Sequence, residues 1–191
     1  MVKLGFIVEG ATEKIILEKS DFFNYLRSLN IDFVEEVIDV EGSGNLLPHN
    51  IVEHTETLKS KGATDILILT DLDEAKCITE TKNRINPLAN QIVIVSLKEV
   101  ESWFLADTET IRKFINNPAY TCANPELINE PFEEIRSIYQ SSIGRGIGKR
   151  AKKRLADKMT TKGFSILKAA EHPNCNSAKY FLKKIKELST L

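Results

Sequence analysis

Cysteine is scarce in this chain of 191 residues: there are three, Cys77, Cys122 and Cys175. They are far apart, odd in number and include no C-x-x-C pair, which excludes a disulfide framework and a zinc ribbon. Long apolar runs are missing too. The first apolar stretch, residues 4–8, is stopped by Glu9, short of the roughly 7–15 apolar residues of a secretory leader. No run approaches the ~20 residues of a membrane-spanning helix. The expected compartment is therefore cytoplasmic, with no membrane partner. Aromatic residues make up only 7% and none lies among the clustered basic residues, so stacking on single-stranded bases is not predicted. The spacing G-x-x-x-x-G-K-[ST] is absent, which excludes a Walker A phosphate loop. Internal repeats and low-complexity segments are absent as well.

What is present is an ordinary core-forming composition, 42% hydrophobic and 28% charged, of a length that fits one domain, with or without an appendage. The formal net charge is -1, but this is an average over unequal parts. Residues 1–138 hold 13 Lys+Arg and 24 Asp+Glu, whereas residues 139–191 hold 13 Lys+Arg and 3 Asp+Glu. An acidic body thus carries a basic tail.

Short β-rich runs alternate with amphipathic ones. Residues 3–8 read as a strand, and residues 12–29 as a helix with Ile15, Ile16, Phe22, Phe23, Leu26 and Leu29 on one face. Residues 33–40 follow as a second strand, and Pro48 opens a helix to about residue 60. The run Ile66, Leu67, Ile68, Leu69 is nearly continuous in apolar residues, as in a strand buried on both faces of a parallel sheet. A polar helix over 78–85 and an apolar strand over 91–96 complete a βαβαβαβ series. This predicts an α/β fold with a mostly parallel four-stranded sheet flanked by helices. Residues 1–107 form that unit, and residues 108–191 form an all-helical basic extension packed on it.

In open parallel sheets functional groups gather beyond the carboxyl ends of the strands. Strand one runs into Glu9-Gly10, and strand three into Asp71-Leu72-Asp73. If these strands are neighbours, Glu9, Asp71 and Asp73 converge. Like charges held together call for a cation, and hard oxygen ligands select magnesium or manganese. The chemistry of such a site is phosphoryl transfer. Capping offers a simpler role for the same residues, because Asp after a strand also caps helices well. Glu101, or Glu99, follows strand four and is placed to add a fourth carboxylate; its other role is a first-turn interaction with the helix dipole.

Taken in order, Val8-Glu9-Gly10-Ala11-Thr12-Glu13, Asp71-Leu72-Asp73 and Glu99-Val100-Glu101-Ser102-Trp103-Phe104-Leu105-Ala106-Asp107 resemble the successive motifs of TOPRIM-like proteins. That topoisomerase-primase fold is shared by the OLD-family nucleases. The later elements Gly163-Phe164-Ser165, His172-Pro173-Asn174-Cys175 and Ser177-Ala178-Lys179-Tyr180-Phe181 are similar to those of a bacterial domain-of-unknown-function branch of the superfamily. That branch is considered alongside phage-defence ATPases. The resemblance implies a Rossmann-like TOPRIM fold and a magnesium-dependent nuclease centre. In it Asp71 and Asp73 are metal ligands, Glu9 is a ligand or general acid/base, and Glu101 is a further ligand. Within that group the same carboxylates serve cleavage, religation and polymerisation. Two alternatives therefore stand: a non-catalytic module partnering an ATPase, and a nucleotidyl- or phosphotransferase.

The segment 144–154 packs Arg145, Lys149, Arg150, Lys152, Lys153 and Arg154 into eleven residues. Exposed, these are suited to a DNA or RNA phosphate backbone, with no base-reading side chains needed; unengaged, they are a solvated face on a helix starting near Gly148. Trp103 is expected as a core anchor, Asp107 as a helix cap, Asn176 or Ser177 as the cap of the last helix, His172 as a turn residue, and Tyr120, Tyr139 and Tyr180 as packing residues.

Overall fold

The computed structural model describes residues 2–73 and 75–190. Four strands, β1 (Lys3–Val8), β2 (Asp32–Asp39), β3 (Asp65–Asp71) and β4 (Gln91–Ser96), form one sheet in the order β2-β1-β3-β4. Every pairing is parallel. Ten α-helices are seen among the described residues: α1 (Ala11–Lys19), α2 (Phe22–Ser28), α3 (Pro48–Ser60), α4 (Ile78–Ile85), α5 (Glu101–Ala106), α6 (Thr108–Ile115), α7 (Pro131–Ile143), α8 (Lys152–Thr161), α9 (Ile166–Glu171) and α10 (Asn176–Leu188). None is long and apolar enough to cross a membrane. The sequence reading of an α/β fold with a helical C-terminal region is what the chain adopts.

Alternation along the strands sorts side chains to two faces. Ile7, Ile66, Ile68, Val93 and Val95 point to one, where they pack with Ile51 and Leu58 of α3 and Ile85 of α4. Close approach of α3 is possible because Gly5 has no side chain: a Cβ there would stand 2.9 Å from Leu58 Cδ1. Leu4, Phe6, Val8, Leu67, Leu69 and Ile94 point to the other face, which is covered by α1, α2 and the helices after β4. That second core continues across residue 107 without interruption. Phe181 of α10, for example, lies 5.1 Å from Phe22 and 5.6 Å from Trp103 between ring centroids.

Two sequence expectations are corrected. The helix read over 12–29 is two helices, broken at Ser20-Asp21. Ser20 is extended and its Oγ accepts the Phe22 N–H at 3.2 Å, while the Asp21 carboxylate accepts from Ser165 Oγ at 2.8 Å. Short polar side chains compete with the helix in this way, and the break lets Phe22 meet Phe6 edge-on at 5.8 Å. The last helix is not capped by Asn176 or Ser177. Buried Glu126, fifty residues away, accepts the N–H groups of both at 2.7 Å, so a carboxylate sits on the positive end of α10.

Ser177 Oγ in turn donates to Glu126 Oε1 at 2.6 Å and accepts from Trp103 Nε1 at 2.7 Å. Trp103 is thus the core anchor expected of it. Replacing Ser177 by Ala leaves a buried indole N–H unpaired, and the expected cost is about 1–3 kcal/mol, read as a lower urea midpoint at unchanged slope. An unchanged midpoint would show that the hydroxyl holds nothing.

Candidate active site

The strand ends are tied level, which sets the site's geometry. Glu9 N–H donates to Leu69 O at 3.0 Å and Leu72 N–H to Ser96 O at 2.9 Å, extending the ladders past β1 and β3. Glu9 Oε2 accepts from Thr70 Oγ at 2.5 Å and from Asp71 N–H at 3.2 Å. Asp71 Oδ1 accepts from Val100 N–H at 2.8 Å and from Ser96 Oγ. Each carboxylate therefore has one oxygen pinned by the sheet and the other left for the space above it. Glu101, in the first turn of α5, is 1% exposed. Its Oε1 accepts from Thr12 Oγ at 3.3 Å, and its Oε2 is buried with no hydrogen-bond partner.

Glu9, Asp71 and Glu101 line one cavity of about 540 Å³ together with a fourth carboxylate, Glu13. Glu13 lies in the first turn of α1 and is buried. Burial, and after it the charges of Glu101 and Glu9, push its carboxyl up to about 8. Asp71 is raised well above the ordinary carboxylate range by burial, then by Glu13 and Glu101. Glu101 is raised by burial in spite of Lys152. Raised together in this way, the carboxyls of Glu13, Asp71 and Glu101 disfavour carrying their full charge as a group.

Lys152, the first residue of α8, is turned inward. Its Nζ is 2.7 Å from Glu99 Oε1 and 3.6 Å from Glu101 Oε2. Burial pulls its ammonium down, but Glu101, Glu99 and Asp71 outweigh that and hold it above the ordinary lysine value. Lys152 is the cluster's internal counter-charge. Lys153 lines the same cavity. Arg145, Lys149, Arg150 and Arg154 are exposed, on α8 and the loop before it. The helix starts at Lys152, four residues later than the glycines suggest.

Asp73 stands apart from the other two acids of the sequence motifs. It is exposed and lines a separate cavity with Leu72, Glu80 and Arg84. Partial loss of hydration and then the charge of Glu9 raise its carboxyl, so Glu9 is still felt there. Asp107 caps α6, accepting the Thr110 N–H at 3.0 Å. His172 Nε2 meets Cys122 O at 2.9 Å and its Nδ1 accepts the Asn174 N–H at 3.1 Å, a turn role. Among the described residues, no three His, Cys, Asp or Glu side chains stand ready around a single point as metal ligands. The four carboxylates ring the cavity, and the Lys152 ammonium supplies the positive charge. Their donor chemistry nonetheless fits a hard divalent ion, because all four are oxygen ligands and Glu101 Oε2 is buried with no hydrogen bond, its cationic neighbour being the Lys152 ammonium at 3.6 Å.

An open α/β sheet with acids gathered at its carboxyl edge defines the general class of this protein. Residues 8–185 match the family described as Domain of unknown function (DUF4276), and the chain belongs to it. No curated protein and no solved structure matches the chain.

Lys152→Met is expected to lower stability by about 1–3 kcal/mol, less than a fully buried broken pair because the lysine is half exposed. Manganese is expected to restore more stability to this variant than to the wild type, since the competing ammonium is gone. Thermal melts with and without the ion read this; an equal metal shift in both proteins would count against a cation site here.

Proposed function

We propose that the cavity is the centre of a magnesium- or manganese-dependent nuclease of TOPRIM-like type, cleaving phosphodiester bonds. The observation that carries this is the meeting of Glu9, Glu13, Asp71 and Glu101 in one cavity at the carboxyl ends of parallel strands, with Glu101 Oε2 lacking any hydrogen bond. The ion would be held by the free oxygens of Glu9 and Asp71, with Glu13 and Glu101 beside them. When bound, it would supply Lewis acidity toward a phosphate oxygen and lower the pKa of an attacking water.

The chain's own residues do the rest. Thr70, Ser96 and the Val100 N–H fix the rotamers of Glu9 and Asp71, so little reorganisation is left for the moment of reaction. Glu13 lines the same cavity and would serve as general base toward the attacking water once a bound cation has ionised its carboxyl. Lys152, anchored by Glu99 at 2.7 Å and facing the cavity, would present positive charge to the phosphate once a bound cation takes up the charge of Glu101. Arg145, Lys149, Arg150, Lys153 and Arg154 hold the DNA or RNA backbone through charge alone.

Purified protein is expected to cut labelled DNA or RNA with magnesium or manganese and to stop on chelation. No cleavage of either polymer with either ion would instead favour a binding module acting through a partner such as an ATPase.

A further inference from the structure

The cavity is electrically lopsided. In spatial order across the sheet, the β2 end contributes Asp39 and Glu41, the middle Glu9, Glu13 and Asp71, and the far end Glu101 with Lys152 beside it; Lys153 lines the same cavity. Among the described residues neither Asp39 nor Glu41 is paired with a Lys or Arg; Asp39 Oδ1 accepts the Glu41 N–H at 2.9 Å. Behind them, residues 28–58 carry seven acidic residues and no Lys or Arg, four of the acids (Asp32, Glu35, Glu36 and Glu56) being paired with Lys3, Arg27, Lys61 and Lys59 from outside the segment, whereas 144–154 carry six Lys/Arg and no acid. The acidic wall is also fixed. Gly42 N–H donates to Glu9 O at 2.8 Å, and Glu41 is held at φ 59°, in the left-handed region that a glutamate adopts only under constraint.

We propose that the site takes the end of a phosphodiester chain and not its middle. This deepens the reading of the cavity as a phosphate-handling centre and rests on it. The chain approaches over the 144–154 side, its last phosphates lie over the carboxylates, and Asp39 and Glu41 bar it from continuing past β2. Neighbouring strands are about 4.8 Å apart, so the ends of β2 and β4 are separated by about 14 Å. A duplex of that length carries about eight phosphate charges. A cation in the middle of the cavity answers the charge of the central carboxylates and leaves the β2 wall negative. A continuous chain would press phosphates against that wall, and like charges brought together at a binding surface are costly. A chain that stops short avoids them.

Binding, not cleavage, tests this, with calcium in place of magnesium. The probes are a fluorescent DNA duplex with two free ends and the same duplex closed by hairpin loops at both ends, with the same pair made in RNA. The free-ended form is expected to bind about tenfold more tightly in at least one polymer. In the Asp39→Asn, Glu41→Gln double variant the closed form is expected to approach the open one. Equal affinity of the wild type for open and closed forms, binding of neither, or a gap that survives the double variant would each overturn the proposal. End preference without any cleavage would support it while removing the nuclease activity; equal cleavage of open and closed duplexes would do the reverse.

Discussion

Asp71→Asn is expected to lower metal-dependent cleavage by at least about 10³-fold while leaving the fold as stable as before or slightly more so. The two effects separate because of how the side chain is held. Its Oδ1 accepts the Val100 N–H and the Ser96 hydroxyl, and an asparagine can present its own oxygen to both. What the substitution removes is a carboxyl whose ionised form is disfavoured by burial, Glu13 and Glu101. The metal-free unfolding midpoint should therefore hold or rise, within about 1 kcal/mol. The stabilisation given by magnesium or manganese, about 2.7 kcal/mol at a hundredfold excess over the dissociation constant, should vanish. Activity at the wild-type level in Asp71→Asn would end the assignment of this residue. A variant that unfolds would leave Glu9→Gln to decide, since Glu9 is pinned through one oxygen only.

The metal-free protein is expected to lose stability as pH rises from about 5 to about 8. Glu13 shows the sign. Its folded carboxyl titrates near 8, against an ordinary value of 4.5, so between those values the folded state binds more protons than the unfolded one. Stability is fully present below the unfolded value and is lost as pH climbs through the folded one. Counting Glu13 alone, the loss across this window is on the order of a few kcal/mol. Asp71 and Glu101, shifted the same way, add to it, though as a group that shares its protons. Lys152 stays charged across this window, its shift being upward. Glu109 is lowered by Lys113 and Lys168, so its contribution changes only below the window. Urea unfolding at a series of pH values reads the slope. Glu13→Gln should flatten it, and saturating magnesium should flatten it in the wild type by holding the carboxylates ionised. A wild-type profile that rises toward pH 8 without metal would be incompatible with this buried cluster.

The sheet was legible because strands buried on both faces leave near-continuous apolar runs such as residues 66–69, and because Gly10 and Asp71 end strands audibly. Strand order is less direct: that β1 lies between β2 and β3 depends on which helices cover which face. Of the site, Glu9, Asp71 and Glu101 could be named from position at strand ends. Glu13 was missed, since a glutamate in a first helical turn fits the dipole without further explanation. The available signal was its place with Ile16 and Leu17 on the buried stripe of α1, where a charge is out of keeping. Asp73 misled for a geometric reason. A D-x-D pair points one way only while the strand lasts, but β3 stops at Asp71 and Asp73 takes a left-handed φ of 48°. Lys152 was hidden in a run of like charges, because its partner Glu99 is 53 residues away and only the packing of α8 brings them together.

The unbroken core beneath residues 108–191 bears on how such a protein can be altered. The helices that carry the basic residues also roof one face of the sheet, so they cannot be removed or exchanged as a cassette. A chain cut after residue 107 would strip Phe181 from Phe22 and Trp103 and is expected to aggregate before its chemistry could be assayed. Change in what this scaffold grips is confined to side chains that point to solvent, above all Arg145, Lys149 and Arg150 around the buried Ile147, and Glu41 on the opposite rim. Retargeting by design should begin with those two short loops and leave the helices between them alone.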